Sequence, residues 1–517
     1  MVFSNYRKSK NLFLIIHGHF YQPPREDAWT GEILRQPSAA PFHDWNERIY
    51  QECYKPNTEA VIVDSEDNVI RKVNNFEYLS FNFGPSLLQW IQKKHPKTYD
   101  KIIEADKRSI FRHNGHGNAI AQVYNHMIMP LANEKDKITQ VKWGVEDFIF
   151  HFGRKPEGIW LSETACDDAT VEVLIEEGIK FIILDPSQAE KVRKLAGGKW
   201  EDVSNGSIDT RMPFRYFSSR HFGKSLNIFF YDGLLSKNIA FDDYVFSAER
   251  LMDRIKSINL DNSLKDELVS AAIDGETFGH HKHYTERTIA YMLSELAPGE
   301  GYHVTNFSEF NSFHLPDYEV RLKKGPNGEG TSWSCSHGVG RWKEDCGCNG
   351  GGEPGWDQKW RKPLRESLDW LRDEADKVFE EHGSEYLKDV WKARNDYIHV
   401  ILNGSRSTIE KFFYFNARRF LTEHETELCL KLLSMEEYRM LMYTSCGWFF
   451  SDISGIETIQ ILQYASRVIE LYKEITGINL EERFLEKLAD ASSNIPRYKN
   501  GRYIFETKIN KPKAYSN

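Results

Sequence analysis

The sequence predicts an α/β fold, a β/α barrel followed by an α-helical C-terminal part, and three observations carry that expectation. Up to about residue 310, short apolar runs alternate with longer helical patterns, and each run exits into polar residues. Two of these runs end in acids, at Glu163 and at Asp274. From about Trp360 to Leu488, Gly and Pro become rare and long helical periodicities take over.

The totals narrow the class. A chain of 517 residues has room for two or three domains and a large core. With 40% hydrophobic and 28% charged residues it reads as a soluble globular protein. A formal charge of −9 argues against nucleic acid or an anionic membrane as partner. The 13 Trp and 24 Tyr offer flat faces suited to sugar, although a large core absorbs most of them. No stretch is long and apolar enough to span a bilayer. Arg7, Lys8 and Lys10 precede only a short apolar run, too short for a signal peptide and without a small-residue cleavage site, so a cytoplasmic protein is expected. Seven scattered Cys do not suggest a disulfide framework.

The elements follow in order. Residues 11–19, NLFLIIHGH, read as a buried strand whose exit places His17 and His19 on one side. Residues 25–74 read as a long irregular loop folding over the site. Residues 75–85 read as a strand and 86–110 as a helix. Residues 115–131 open with glycines and continue as a helix that carries His126 and is closed by Pro130. A helix over 137–152 leads into GIWLSE, residues 158–163, a strand entered from a turn. Asp167 or Asp168 caps a helix to about Glu177. Strands over 180–184 and 226–230 exit at Asp185-Pro186 and Tyr231-Asp232. A helix over 243–257 precedes the strand 269–273, and a helix over 285–297 follows it. Residues 502–516 read as a strand and an exposed tail.

The chemistry-bearing residues sit at strand ends. Glu163 stands just past Ile159, Trp160 and Leu161. Asp274 and Glu276 follow the second run, in LVSAAIDGETFGHH. Acids in such places often cap a helix or pair with a lysine. Two of them at the C-terminal ends of barrel strands also make the minimum equipment for glycoside hydrolysis, one nucleophile and one acid/base. Residues 325–357 are crowded with glycine and carry Cys335, His337, Cys346 and Cys348. Four such ligands in one short loop can close a tetrahedral zinc site of structural character, and free thiols on a flexible loop are the other reading. Within the helical part, Cys446 to Phe450 interrupt the pattern with a bulky cluster. It reads as core packing or, with Trp448, as a wall of a sugar cleft.

Five stretches carry a resemblance: HGHFYQPP (17–24), GHGNAIAQVYNHMIMPL (115–131), GIWLSE (158–163), DGETFGH (274–280) and HVTNFSEF (303–310). On these the chain resembles glycoside hydrolase family 57, the retaining α-glucan-active enzymes, and a subgroup with a further domain of unknown function after the barrel. The resemblance implies a distorted seven-stranded (β/α) barrel followed by helices. It implies double displacement, with Glu163 as nucleophile and Asp274 as acid/base, and a raised Asp274 pKa from burial and the Glu163 charge. The expected substrate-binding residues are His17, His19, Gln22, His126, Trp160, Glu276, His280 and Trp448. The sequence departs from the family at Asn118, where an acid is common, and after Glu163, where TACDDAT replaces an aromatic and a proline. Both departures are expected near the sugar pocket.

The expected division is a catalytic barrel over 1–315, a Gly/Cys-rich loop segment over 316–358, and a helical domain over 359–517 contributing to the cleft. The expected partner is an α-glucan, acted on by an amylase, 4-α-glucanotransferase or branching type of enzyme, with no cofactor required for catalysis. Two alternatives stand beside it. One is a catalytically inactive sugar-binding or regulatory protein on the same fold. The other is a metal-dependent sugar enzyme with His17 and His19 as ligands.

Overall fold

In the computed structural model, which describes residues 11–258 and 265–509, the strand Asn11–Phe20 is paired along both edges. Asp266–Asp274 runs parallel to it, in register from Asn11 opposite Asp266 to His19 opposite Asp274. Ser80–Phe83 and Tyr302–Val304, also parallel, share the other edge. A parallel strand between neighbours is covered on both faces, which is why LFLII is unbroken apolar sequence.

Parallel links continue outward from Ser80–Phe83. Phe81 N donates to Asn118 O (3.1 Å) and Phe81 O accepts from Ile120 N (2.9 Å). Ala121–Gln122 pairs in parallel with Ile159–Trp160. Gly158 bridges to Phe181 in parallel, and Phe181–Leu184 pairs in parallel with Ser225–Phe230. Asp232 N then donates to Ser270 O at 2.8 Å, back onto Asp266–Asp274. Phe181–Leu184 and Ser225–Phe230 also open a six-stranded sheet that runs on through Phe214–Phe217, Tyr318–Leu322, Ala189–Lys194 and Glu201–Asp202.

Side chains alternate between two faces along these strands. Leu14, Ile16, Val269, Ala271 and Ile273 face the helices and share a core with Leu87, Ile102 and Leu174. Ile15, Leu268 and Ala272 face inward, onto Trp160, Phe181, Ile183 and Phe229. The period of two therefore places His17, His19 and Asp274 on the inner face, one after another towards the strand exits.

The helix Glu134–Phe152 starts where Asn133 accepts from Asp136 N and stops at the left-handed Gly153. It lies so close to residues 121–124 that a Cβ on Gly144 would stand 2.0 Å from Gln122 O. The C-terminal helices Arg361–Tyr386, Glu423–Leu441 and Ile456–Thr476 bury Leu364, Leu368, Leu432, Leu433 and Leu462 together with Trp143 and Met127. A buried ion cluster joins this helical segment to the α/β part. Arg439 donates to Asp136 at 2.6 and 2.8 Å, and Arg394 donates to Asp136 (3.0 Å) and Glu436 (2.9 Å). Burial alone would raise the Asp136 carboxyl, but the two guanidinium groups overcome it and hold the carboxyl far below its usual range. Among the described residues no helix is long and apolar enough to cross a membrane.

Several expectations are corrected. Residues 115–131 are not a helix. The strand Ile159–Trp160 and the helix across Gly144 hold 121–122 extended, a turn at 124–125 reverses the path into His126 (φ 52°), and the one helical piece is the 3-10 turn Met129–Leu131. Residues 25–74 are not one loop, since they contain the helical run 45–57 and the antiparallel hairpin Ala60–Val63/Val69–Val73. The helix expected over 86–110 is two, Pro85–Lys94 and Pro96–Arg112, because Pro96 cannot continue the first. The Gly/Cys-rich segment opens with a strand, Tyr318–Leu322. Residues 501–509 are helical rather than a strand. The tail from 510 and the basic residues 7–10 lie outside the described residues.

Candidate active site

The inner face opens into a cleft of about 610 Å³. Glu163, Asp274, Glu276, His19 and His126 line it, with Tyr21, Gln22 and Arg25 from the loop after the first strand. Cys446, Phe449, Phe450 and Glu457 face them from the helical segment. The two strand-end acids thus share one cavity.

Glu163 occupies a tight turn directly after Ile159–Trp160. Both it and Thr164 adopt left-handed backbone, with φ of 57° and 49°, at a cost of about 1–3 kcal/mol each. The turn is clamped from both sides. Thr164 Oγ1 donates to Gln188 Oε1 and Gln188 Nε2 donates to Thr164 O, each at 2.8 Å. From the other side Trp333 N donates to Glu163 O at 3.0 Å. The same loop aims Trp333 Nε1 (3.0 Å) and Ser334 Oγ (2.6 Å) at Glu163 Oε2. Gly330 lets it come this close: its φ is +83°, and a Cβ would stand 2.3 Å from Cys166 O. Burial raises the Glu163 carboxyl above its ordinary range, while Ser334, Trp333 and the Arg341 charge pull it back.

Asp274 ends the strand Asp266–Asp274 with its side chain open to the cleft. The cleft itself lies deep in the molecule, and among the described residues no donor reaches this carboxyl. The surrounding protein, and after it the negative charge of Glu163, push Asp274 up to about 7. Donors therefore favour the anion of Glu163, and nothing favours that of Asp274. The two carboxyls are thus held in unlike environments, the anion supported at Glu163 and the acid form at Asp274. Glu276 is buried, and its Oε1 accepts from Tyr54 Oη (2.6 Å) and Tyr21 N (3.0 Å). Burial, reinforced by the charge of Asp274, pushes it up to about 8 despite these donors.

Three histidines form a neutral chain beneath the cleft. One proton assignment satisfies all of their side-chain contacts but one, the 3.3 Å approach of His19 Nδ1 to Asn82 Oδ1. Ser80 Oγ donates to His17 Nδ1 (2.9 Å), and His17 Nε2 donates to Asn82 Oδ1 (3.1 Å). Asn82 Nδ2 donates to His19 Nδ1 (2.9 Å), and His19 Nε2 donates to His126 Nε2 (3.2 Å). His126 Nδ1 donates to Ser445 Oγ (2.6 Å), on the helical segment. Burial holds His17 and His19 down to about 3, and His126 well below its usual value, so none carries charge at neutral pH. In this assignment each ring nitrogen of His17 and His19 is engaged by a side chain.

The remaining expected residues divide. Gln22 lines the cleft and accepts from Arg25 (3.1 Å). His17 is wholly buried behind His19. Trp160 is also fully buried, stacked on His17 and His19 at 4.9 and 5.1 Å, so it supports the histidines rather than facing the cavity. Trp448 turns into the helical core, parallel to Tyr443, and Phe449 and Phe450 form the wall in its place. His280 turns away to Glu52, while its neighbour His281 lines the cleft. Asn118 lies in the core, bonded to Phe76 O and Asn306, and does not line the cleft. Sequence reasoning missed Tyr21, Arg25, Ser445, Trp333 and Ser334. Only Tyr21 had a signal, its place inside HGHFYQPP, and its ring stacks on His126 at 3.7 Å.

Cys335, His337, Cys346 and Cys348 do converge, with one ligand atom from each lying within 4.8 Å of the others. This is the one Cys/His/acid group of metal-binding shape among the described residues.

Two carboxyls on strand exits, held in unlike environments across one cleft, define a site of the glycoside-hydrolase class. The chain belongs to glycosyl hydrolase family 57, whose sequence pattern matches residues 12–321, and residues 356–516 match a domain of unknown function, DUF3536. The α-amylase 1 of Dictyoglomus thermophilum is 28% identical over 158 residues, covering 30% of this chain and 20% of that protein. The 4-α-glucanotransferase of Thermococcus litoralis is 22% identical over 293 residues, covering 56% and 39%. The chain thus spans less than half the length of these curated relatives. Among solved structures, a maltose-forming amylase from Pyrococcus sp. ST04 aligns with a TM-score of 0.67 at 16% identity, over 92% of this chain and 82% of that one. A family 57 branching enzyme from Thermococcus kodakaraensis aligns at 0.53 and 14% identity, over 92% and 94%. These likenesses show the shared α/β fold.

Proposed function

We propose that the protein is a retaining enzyme of α-linked glucans, a hydrolase or transglycosylase of the amylase, 4-α-glucanotransferase or branching type. The observation that carries this reading is the unequal treatment of two acids facing one cleft. Glu163, directed by Trp333 and Ser334, attacks the anomeric carbon as a carboxylate. Asp274, protonated near neutrality, gives its proton to the departing oxygen and then takes one from water or a sugar hydroxyl. Protonated Glu276 fixes the backbone of Tyr21 at the cleft, and the neutral histidine chain sets the positions of His19 and His126 in its wall. The names of the family relatives support an α-glucan as substrate. In this reading the parallel links described above close seven strands into a distorted barrel, and residues 359–517 act as a helical domain that supplies one wall.

The test is product analysis on maltooligosaccharides and glycogen, with the first-formed anomer followed by NMR. Wild type is expected to give product of retained configuration. Glu163→Gln and Asp274→Asn are each expected to lose about 10²–10⁴-fold or more in turnover. An inverted first product, or full turnover by Glu163→Gln, contradicts the reading. Tight oligosaccharide binding with no product from folded wild type would instead favour the inactive sugar-binding alternative.

A further inference from the structure

The Cys/His loop is not used by the chemistry above, yet it begins one residue after Ser334. Its geometry is specific. Four ligands around zinc, at about 2.3 Å for sulfur and about 2.0–2.1 Å for nitrogen, require tetrahedral edges of about 3.8 Å between sulfurs and about 3.6 Å between sulfur and nitrogen. Cys335 Sγ and Cys346 Sγ stand 3.9 Å apart, and Cys348 Sγ and His337 Nδ1 stand 3.5 Å apart. Both edges match a shared ion. The sulfurs are too far apart for a disulfide, which needs about 2.05 Å.

A second observation concerns charge. Arg341 and Arg361 are buried beside this loop, and neither has a carboxylate partner among the described residues. Arg361 donates to Cys348 O (2.6 Å), Arg341 donates to Phe449 O (3.2 Å), and the Nε of each lacks any acceptor. Two buried cations without a counter-charge are costly. Three thiolates and one divalent ion leave a net negative charge, which answers that need. Arg341 is also the cation whose charge reaches Glu163.

The loop between these features is tethered at its two ends. Thr331 and Cys166 exchange backbone hydrogen bonds at 2.9 and 3.1 Å, which fixes the entry. The exit is Cys335. Between them lie Trp333 and Ser334, the two donors to Glu163. We propose that Cys335, His337, Cys346 and Cys348 bind one zinc ion, and that this ion fixes the loop whose Trp333 and Ser334 hold Glu163. The first half stands without any catalytic reading, and the second rests on the role given to Glu163. Trp333 and Ser334 are positioning residues in this scheme.

The experiment measures metal in full-length protein purified under reducing conditions without chelator. One zinc per chain is expected. After chelation, reloading with Co²⁺ is expected to give the absorption of a tetrahedral cobalt thiolate centre. Cys346→Ser is expected to lose the metal, and Cys429→Ser, a buried thiol outside the cluster, to keep it. Wild type with neither stoichiometric zinc nor cobalt thiolate bands overturns the site, as does a Cys335–Cys346 disulfide in its place. Should Cys346→Ser fail to fold, the wild-type chelation and cobalt arms decide alone. The tether is read separately. Metal-depleted protein is expected to show the acid limb of its pH–rate profile moved to higher pH, because the Glu163 anion loses its donors. Metal loss with an unmoved limb overturns the tether and leaves the site. An absence of glucan turnover in wild type refutes the proposed function, and the metal measurements still stand.

Discussion

Removing the charge of Glu163 while keeping its shape should lower the pKa of Asp274. The perturbation is Glu163→Gln. Asp274 is raised from 3.8 to about 7 by two causes, burial first and the Glu163 charge second. Since burial is the larger cause, the midpoint falls on the substitution but stays above the ordinary aspartate range. At pH 6 a carboxyl titrating near 7 is about nine-tenths protonated, whereas an ordinary aspartate is under about one-hundredth protonated. The acid form needed for leaving-group protonation is therefore the majority species in wild type and loses ground in the variant. The assay is a carboxyl ¹³C titration of protein labelled at aspartate, with Asp274→Asn identifying the resonance. A wild-type midpoint in the ordinary aspartate range refutes the assignment of Asp274 as acid. A raised midpoint that Glu163→Gln leaves unmoved refutes the claim that the two carboxyls interact.

Three further outcomes are expected. Glu276→Gln keeps an acceptor for Tyr54 and Tyr21 N but removes a buried acid raised to about 8. A folded pKa above the unfolded one means that wild-type stability is lost as pH climbs from about 4.5 to about 8, by up to about 5 kcal/mol. The variant's thermal midpoint should match wild type near pH 4 and exceed it at pH 9, and an equal gap at both would contradict this. Asp136→Asn removes the carboxylate that Arg394 and Arg439 share in this buried cluster and should cost about 3–5 kcal/mol in denaturant unfolding. A loss under about 1 kcal/mol would show that Glu436 and Asp376 suffice. Ser334→Ala removes a charge-assisted donor to Glu163, about 1.5–3 kcal/mol of support for the anion. The acid limb of the pH–rate profile should move to higher pH, and an unchanged limb would show that Ser334 does not tune Glu163.

Much of this site was legible before any coordinates. The extended run 11–19 put His17 and His19 on one side, and the runs ending at Glu163 and Asp274 placed both acids at strand exits; that Asp274 shares a face with the two histidines needed the register of Asn11–Phe20 on Asp266–Asp274. What local sequence could not carry was long-range packing. Residues 115–131 have helical spacing, but Gln122 O pressed against Gly144 and pairing with Ile159–Trp160 leave only an extended path. Trp448 belongs to a four-residue helix that rotates it into the core, and no periodicity is readable from so short an element. The donors to Glu163 come from 170 and 171 residues away, and nothing in their own spacing points to that destination.

The central claim is that Glu163 forms the covalent bond to sugar. A fluorinated α-glucosyl fluoride that slows the second step should leave a glycosyl group on the enzyme, and peptide mass spectrometry can locate it. The account predicts the label on Glu163, and its absence after Glu163→Gln. A label on any other carboxyl, or none in protein that turns over α-glucan, would contradict it.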